Sequence, residues 1–391
     1  MVIGYLLREP YVRLHQLKYV MYLLLFFISP VVFAKVYIID GKTVIDQNTV
    51  YQDAIIDMRN GYFQVINHAT LKIENCIIKG VISPNNTQLF DIKLGQLTLI
   101  NNVVDVASMN IPKHGDRYSG YYLIMINAGK VRITVNKFNV DVPYTVGFLN
   151  SMQHNGAFHI SKNELNQFHG GVLLSNAHQI YIGYNQFSKV SMSNILIAAS
   201  HNIKIEKNNI VFAGHHQPGD AIDVFDSHDV LIENNYIGTG SCYSIVILRS
   251  HDITVNNNII VGGITHAIYI NTSFGFFDIE QVLNIPHDNK RSQQFDNKNI
   301  KITNNYIAQN RYGLVAVNTD SLVVMNNKFI QLFNNDSDRQ FWTDNRHFLI
   351  NVINIIWDNN KYKEAFVQDF SNNERYSKKF VEFPLYGGVR L

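Results

Sequence analysis

Three carboxylates stand close together in the stretch Gly219-Asp220-Ala221-Ile222-Asp223-Val224-Phe225-Asp226, each three residues from the next. Carboxyl groups held near one another can divide acid and base roles, because the charge on one raises the proton affinity of its neighbour. Several together can also offer oxygen ligands to calcium, the only cofactor these residues suggest. Further along, Arg249 could neutralise an anionic group, and Tyr243, His266 and Tyr269 could move a proton. His215 and His216 precede the aspartates directly. These side chains can cooperate only if the fold brings distant stretches of chain onto neighbouring positions.

A repeat does that. The segments LKIENCII (71–78), LTLINNVV (97–104), VRITVNKF (131–138), FHISKNEL (158–165), IYIGYNQF (180–187) and IKIEKNNI (203–210) share one frame. It continues in VLIENNYI (230–237), ITVNNNII (253–260), IKITNNYI (300–307), LVVMNNKF (322–329) and IIWDNNKY (355–362). The sixth position is asparagine from Asn102 to Asn360, and only the first segment departs, with Cys76 there. Apolar residues at the first, third and eighth positions read as a strand, a sharp turn and a second strand. Asparagine tolerates the left-handed backbone of a tight turn, and stacked asparagines can hydrogen-bond to one another along an axis. A further strand precedes each segment, with inward pairs such as Ile195 and Ile197, Ile222 and Val224, and Ile245 and Ile247. Each coil thus takes about 22 to 27 residues and three short strands, as in a stacked solenoid.

The pattern that runs from Ser227-His228-Asp229-Val230 through Asn234-Asn235 to Ile237 resembles the repeats of the pectin-lyase-like superfamily, over roughly residues 60–362. The resemblance implies an all-β fold, a single-stranded right-handed parallel β-helix of about eleven coils with capped ends. Members are often pectate lyases, polygalacturonases, alginate epimerases and lyases, or phage tail-spike glycanases; others have no known activity. Their substrate groove usually follows the outer face of the strand before the asparagine strand. Aligned there, Asp223 falls in a row with Leu196, Val246 and Tyr269, and Asp226 in a row with Ala199, Arg249 and Thr272. A third row holds Ser193, Asp220, Tyr243 and His266. The three rows form one expected surface patch, overlooked by His215 and His216. Its catalytic candidates are Asp223, Asp220, Arg249 and His266; its substrate-binding candidates are Asp226, Tyr243, Tyr269, His215 and His216.

What the resemblance implies for chemistry is an extracytoplasmic lyase or epimerase of an acidic polysaccharide. Arg249 would neutralise a uronate carboxylate, a histidine or tyrosine would shuttle the carbon-bound proton, and the aspartates would hold calcium. Glycoside hydrolysis needs two carboxyls about 5 Å or about 6.5–9.5 Å apart, which the three aspartates could supply. Asp220 and Asp223 are similar to the Asp-Gly-Ile-Asp element of polygalacturonases, but Ser241 stands where the family's next aspartate belongs, and the hydrolase reading is the weaker. A lone Asp223 between Leu196 and Val246 is expected to have a raised pKa. The plain readings stand beside these. Asp223 could be a solvated outward residue, and Asp226 with Arg249 a simple cross-coil ion pair. The apolar outer row of Leu173, Leu196, Val246 and Val315 would then serve a non-catalytic glycan-binding or surface-interaction protein, or a bare scaffold. His178, His201, His228 and His251 recur beside Ser200, Ser227 and Ser250, which favours a turn-capping ladder over a metal site.

Of the 391 residues, 46% are hydrophobic and 16% charged, with a formal net charge of +2, so a large core is affordable and no basic stripe points to nucleic acid. Arg8, Arg13 and Lys18 precede an apolar run over 19–34 that reads as a secretory signal, cleaved to leave a secreted or periplasmic chain with no stable membrane span. Retention as an anchor is the alternative, though the run falls short of the roughly 20 residues of a spanning helix. The remaining boundaries are an N-terminal cap (35–60), the β-helix (61–362) and a C-terminal cap (363–391). Insertions at 105–121, 273–298 and 331–350 interrupt the period, the second placed to overhang the patch with Phe274, Phe276 and Phe277. Cys76 and Cys242 fall some six coils apart, too far for a disulfide.

Overall fold

The computed structural model describes residues 35–111, 121–151, 156–213, 219–240, 243–263, 266–271, 297–310, 312–330, 345–363 and 365–370. The segment read as a signal, 19–34, lies outside the described residues. The strands form a right-handed parallel β-helix of about eleven coils, with no helix among the described residues. No described helix is therefore long and apolar enough to cross a membrane.

Each coil contributes one strand to each of three faces. The first face contains Ile195–Ala198, Ile222–Phe225, Tyr243–Leu248 and His266–Asn271. The second contains His178–Gly183, His201–Glu206, His228–Glu233 and His251–Asn256, and the third Gln186–Ser188, Asn209–Ala213, Tyr236–Gly240 and Ile259–Gly263. Pairing is parallel and joins each strand to its counterpart one coil on, as in Ile203↔Val230↔Ile253. Inward residues make a continuous apolar column: Ile133, Ile160, Ile182, Ile205, Ile232 and Val255, all at the third position of the repeat, have no exposed surface. Burying a side chain of this kind stabilises by roughly 1.5–3 kcal/mol, and the register repeats that gain at every coil.

The asparagine ladder runs unbroken from Asn102 to Asn360. At each rung the Oδ1 of the next asparagine accepts from both the backbone N–H and the Nδ2 of the one before: Asn185 donates to Asn208, and Asn208 to Asn235, at 2.9–3.0 Å. Each Nδ2 also reaches back to a strand carbonyl, Asn208 to Ile182 O at 2.9 Å. The left-handed residue is the one before the ladder asparagine, a correction to the sequence expectation. It is Lys162, Tyr184, Lys207 and Asn234 that have φ between 52° and 59°, and Val135 has φ 59°. Asparagine occupies the sixth position for its buried hydrogen bonds, not for its backbone tolerance.

A second ladder caps the turn between the first two faces. Ser200 Oγ accepts from Ala177 N, Ser227 Oγ from Ser200 N and Ser250 Oγ from Ser227 N, at 2.9–3.1 Å. Asn297 Oδ1 takes the next rung, accepting from Ser250 N at 3.1 Å, while the neighbouring histidines stack as rings, His178 on His201 at 6.0 Å, His201 on His228 at 5.1 Å and His228 on His251 at 5.0 Å. Parallel rings about 5 Å apart cannot both bring a nitrogen within the roughly 2 Å that a transition metal needs.

Residues 35–60, expected as a cap, extend the stack instead. Thr49–Gln52 pairs in parallel with Ala69–Glu74, so TVYQDAII (49–56) is another copy of the repeat, with Ala54 in the asparagine position. At the other end Asn345–Ile353 pairs with Tyr312–Met325, and Ala365–Phe370 pairs with Asn345–Ile353. The segments 331–350 and 363–391 thus both carry stacked strands, and Val103–Ser108 takes up the first residues of the segment 105–121. Most of the three insertions, with Phe274, Phe276 and Phe277, lies outside the described residues, as does Cys242. Cys76 is a buried free thiol whose pKa burial pushes up.

Candidate functional site

The first face brings the predicted rows together. Leu196, Asp223, Val246, Tyr269 and Val315 lie on successive rungs, and beside them Tyr243, His266 and Tyr312 do the same. Outward strand residues normally meet water, yet Asp223 is 2% exposed and His266 and Tyr269 are each 6% exposed. The expected surface patch is therefore corrected to a buried one. The reason is an apolar layer outside the main core: Phe225, Val246, Leu248, Tyr269 and Val315 cluster together, with Leu196, Tyr243 and Tyr312 packed against them.

Asp223 is the buried acid within that layer. Ser193 Oγ donates to its Oδ2 at 2.5 Å, and Oδ1 is enclosed. Its pKa is driven well above the usual carboxylate range, first by burial and then by the neighbouring Asp220 carboxyl, which repels charge on Asp223 and hydrogen-bonds to its protonated form. Ser193 opposes this only in part. Asp220 is more accessible, and its Oδ1 accepts the backbone N–H of Tyr243 at 2.9 Å, which ties this acid to the next coil.

Aromatic rings continue the site along the axis. His266 stacks on Tyr243 at 4.8 Å and lies 4.7 Å from Tyr312 and 5.2 Å from Tyr269, while Tyr243 and Tyr269 stack at 4.9 Å. Burial raises the Tyr269 phenol, opposed by a hydrogen bond that Asn271 Nδ2 donates to its Oη. Tyr312 escaped the sequence reading, although its place one rung beyond His266 was recoverable from the repeat. Ser193 was placed in the right row, but its bond to Asp223 joins two rows and no pattern of spacing reveals it.

Asp226 and Arg249 lie at the rim. Both follow a first-face strand in a left-handed turn, with φ 48° and 46°. Stacking these turns sets the side chains opposite each other, and Arg249 binds Asp226 bidentately, Nε to Oδ1 at 2.6 Å and Nη2 to Oδ2 at 2.7 Å. The cross-coil ion pair is thus formed, and a substrate carboxylate would compete with Asp226 for the guanidinium. Calcium does not fit the aspartates: Asp226 is committed to Arg249, Asp223 is buried with Oδ2 bonded to Ser193, and no three His, Cys, Asp or Glu side chains among the described residues converge on a metal position. His215 and His216 lie outside the described residues.

The arrangement can hold a neutral carboxylic acid, a second carboxyl and a proton-carrying imidazole within two rungs. Comparison with known proteins bears on the scaffold. Residues 144–289 match the family model described as the right handed beta helix region. No curated protein sequence matches the chain. Among solved structures, similar chains include the periplasmic alginate epimerase AlgG, with 13% identity over 85% of each chain and a TM-score of 0.46. The alginate lyase AlyF-OU02 in complex with G6 is 14% identical over 91% of this chain and 86% of that one, with a TM-score of 0.45. The exopolygalacturonase of Thermotoga maritima is 9% identical over 82% and 84%, with a TM-score of 0.33. The stretch that matches the right handed beta helix region carries both Asp223 and His266.

Proposed function

We propose that this is an extracytoplasmic carbohydrate-active protein that acts on an acidic polysaccharide as a lyase or epimerase, through Asp220, Asp223, Arg249 and His266. The observation that carries the reading is Asp223, a buried carboxyl bonded to Ser193 beside a second carboxyl and one rung from an aromatic and imidazole stack, a setting that favours its protonated form. Elimination and epimerisation both begin by neutralising a uronate carboxylate so that the neighbouring C–H can be deprotonated. A protonated carboxyl can do this by donating a hydrogen bond, and Arg249 can do it by exchanging Asp226 for the substrate. His266 or Tyr243 then takes or returns the carbon-bound proton. Hydrolysis fits less well, since Ser241 stands where the polygalacturonase pattern places its next aspartate. Export is supported by the apolar run after Arg8, Arg13 and Lys18.

A second reading, glycan binding without turnover, is favoured by the near-complete burial of Asp223 and by the engagement of Arg249 with Asp226. One experiment separates the two. The mature protein is incubated with polyuronates and neutral glycans, with and without calcium, while unsaturated ends, reducing ends and epimer content are followed. Unsaturated or epimerised uronate residues are the expected products. Retained glycan binding with no product on any substrate would replace the enzyme by the binding protein.

A further inference from the structure

The third face has its own chemistry, on strands that do not carry the aspartates. Its first outward row passes through Lys137, Glu164, Gln186 and Asn209, then continues through Tyr236, Ile259 and Tyr306. Around Lys137–Val140, Glu164–Asn166 and Gln186–Ser188 the face is hollowed into a groove of about 210 Å³, lined by Lys137, Asn139, Glu164, Asn166, Gln186 and Ser188. Beyond the groove the same row turns apolar, and Tyr236 and Ile259 leave 43% and 45% of their surface exposed. Gly238 gives the Tyr236 ring its room, since a Cβ there would come within 2.9 Å of Cε1.

These features restrict what can bind. An added peptide strand is excluded, because the backbone groups of these strands already pair with the coils on either side. Within the groove a polyanion gains little, because Lys137 Nζ lies 3.7 Å from Glu164 Oε2 and the two charges offset each other; the next lysines of the row, Lys328 and Lys361, lie beyond Tyr306, outside the groove. What remains is a row of amides and a hydroxyl, each both donor and acceptor, which complements neighbouring sugar hydroxyls. It runs on into an exposed aromatic and aliphatic stretch suited to the C–H faces of sugar rings. The row advances about 4.8 Å per coil, so from Lys137 to Tyr306 it spans about 29 Å.

We propose that this face binds an uncharged polysaccharide chain laid along the helix axis, at a site separate from Asp223 and independent of any reaction there. The test is native gel electrophoresis through soluble hydroxyethyl cellulose, xyloglucan or galactomannan, with alginate and polygalacturonate run in parallel. At least one neutral glycan is expected to retard the protein. Asn166→Ala combined with Gln186→Ala, and separately Tyr236→Ala, should weaken that retardation about fivefold or more, the effect of one or two lost hydrogen bonds or of a lost aromatic contact. Asp223→Asn should leave it unchanged. Equal thermal midpoints for all variants guard against misfolding. Retardation by polyuronates alone, by no glycan at all, or equally in wild type and groove variants would overturn the proposal; turnover at the first face could still be present or absent in each case.

Discussion

A carboxyl buried as the acid makes stability depend on pH in a particular direction. The folded pKa of Asp223 is raised, whereas in the unfolded chain it titrates near 4. From about pH 4 up to the folded pKa, the folded state therefore holds a proton that the unfolded state has released, and rising pH removes stability across that window. Asp223→Asn abolishes the effect while keeping an acceptor for Ser193. Thermal midpoints of wild type and variant measured between about pH 4 and pH 8 should diverge, with the variant gaining on wild type as pH rises; a constant gap would mean that Asp223 is ionised in the fold. Arg249→Ala removes a half-exposed pair and should cost less than about 1 kcal/mol in denaturant unfolding, so that any loss of turnover in that variant is chemical. The register that aligned Asp223 with Leu196, Val246 and Tyr269 was legible in the sequence. Their burial was not, because how much water reaches an outer face depends on what packs over it, not on strand alternation.

Among the elements, the turn between the second and third faces holds the buried asparagine ladder. Replacing Asn208 by alanine deprives Asn185 of the acceptor for two buried donors and Ile182 O of its own donor. Leaving such groups unsatisfied costs about 1–3 kcal/mol each, so Asn208→Ala should destabilise by about 3 kcal/mol or more in denaturant unfolding. Val135 is the converse case: a β-branched residue at φ 59° with 46% of its surface exposed. Val135→Asn should stabilise by about 1 kcal/mol, measured the same way, because it relieves left-handed strain with little loss of burial. The ladder itself was visible as a column of asparagines, but which residue of each Asn-Asn pair bends the chain was not. Asparagine is common at both positions, and Val135, Lys162, Tyr184 and Lys207, which no turn preference selects, mark the fifth as the strained one.

Over the whole molecule, the repeat specified the coil because its positions differ in what they must bury. Where that demand is weaker the signal fades: TVYQDAII lacks the asparagine and was taken for a cap, although Ala54 closes the turn of a further coil. Function was less legible still, since side chains such as Ser193, Tyr312 and Gln186 become parts of sites only when coils stack. Two faces are proposed to meet a glycan, one with acids and one with amides, and the acid face is the one proposed to do chemistry. NMR of a polyuronate incubated with wild type and with Asp223→Asn tests this most directly. The account predicts signals of unsaturated or epimerised residues with wild type and an unchanged polymer with the variant; it is contradicted if the variant works at the wild-type rate, or if wild type leaves every polyuronate as it was.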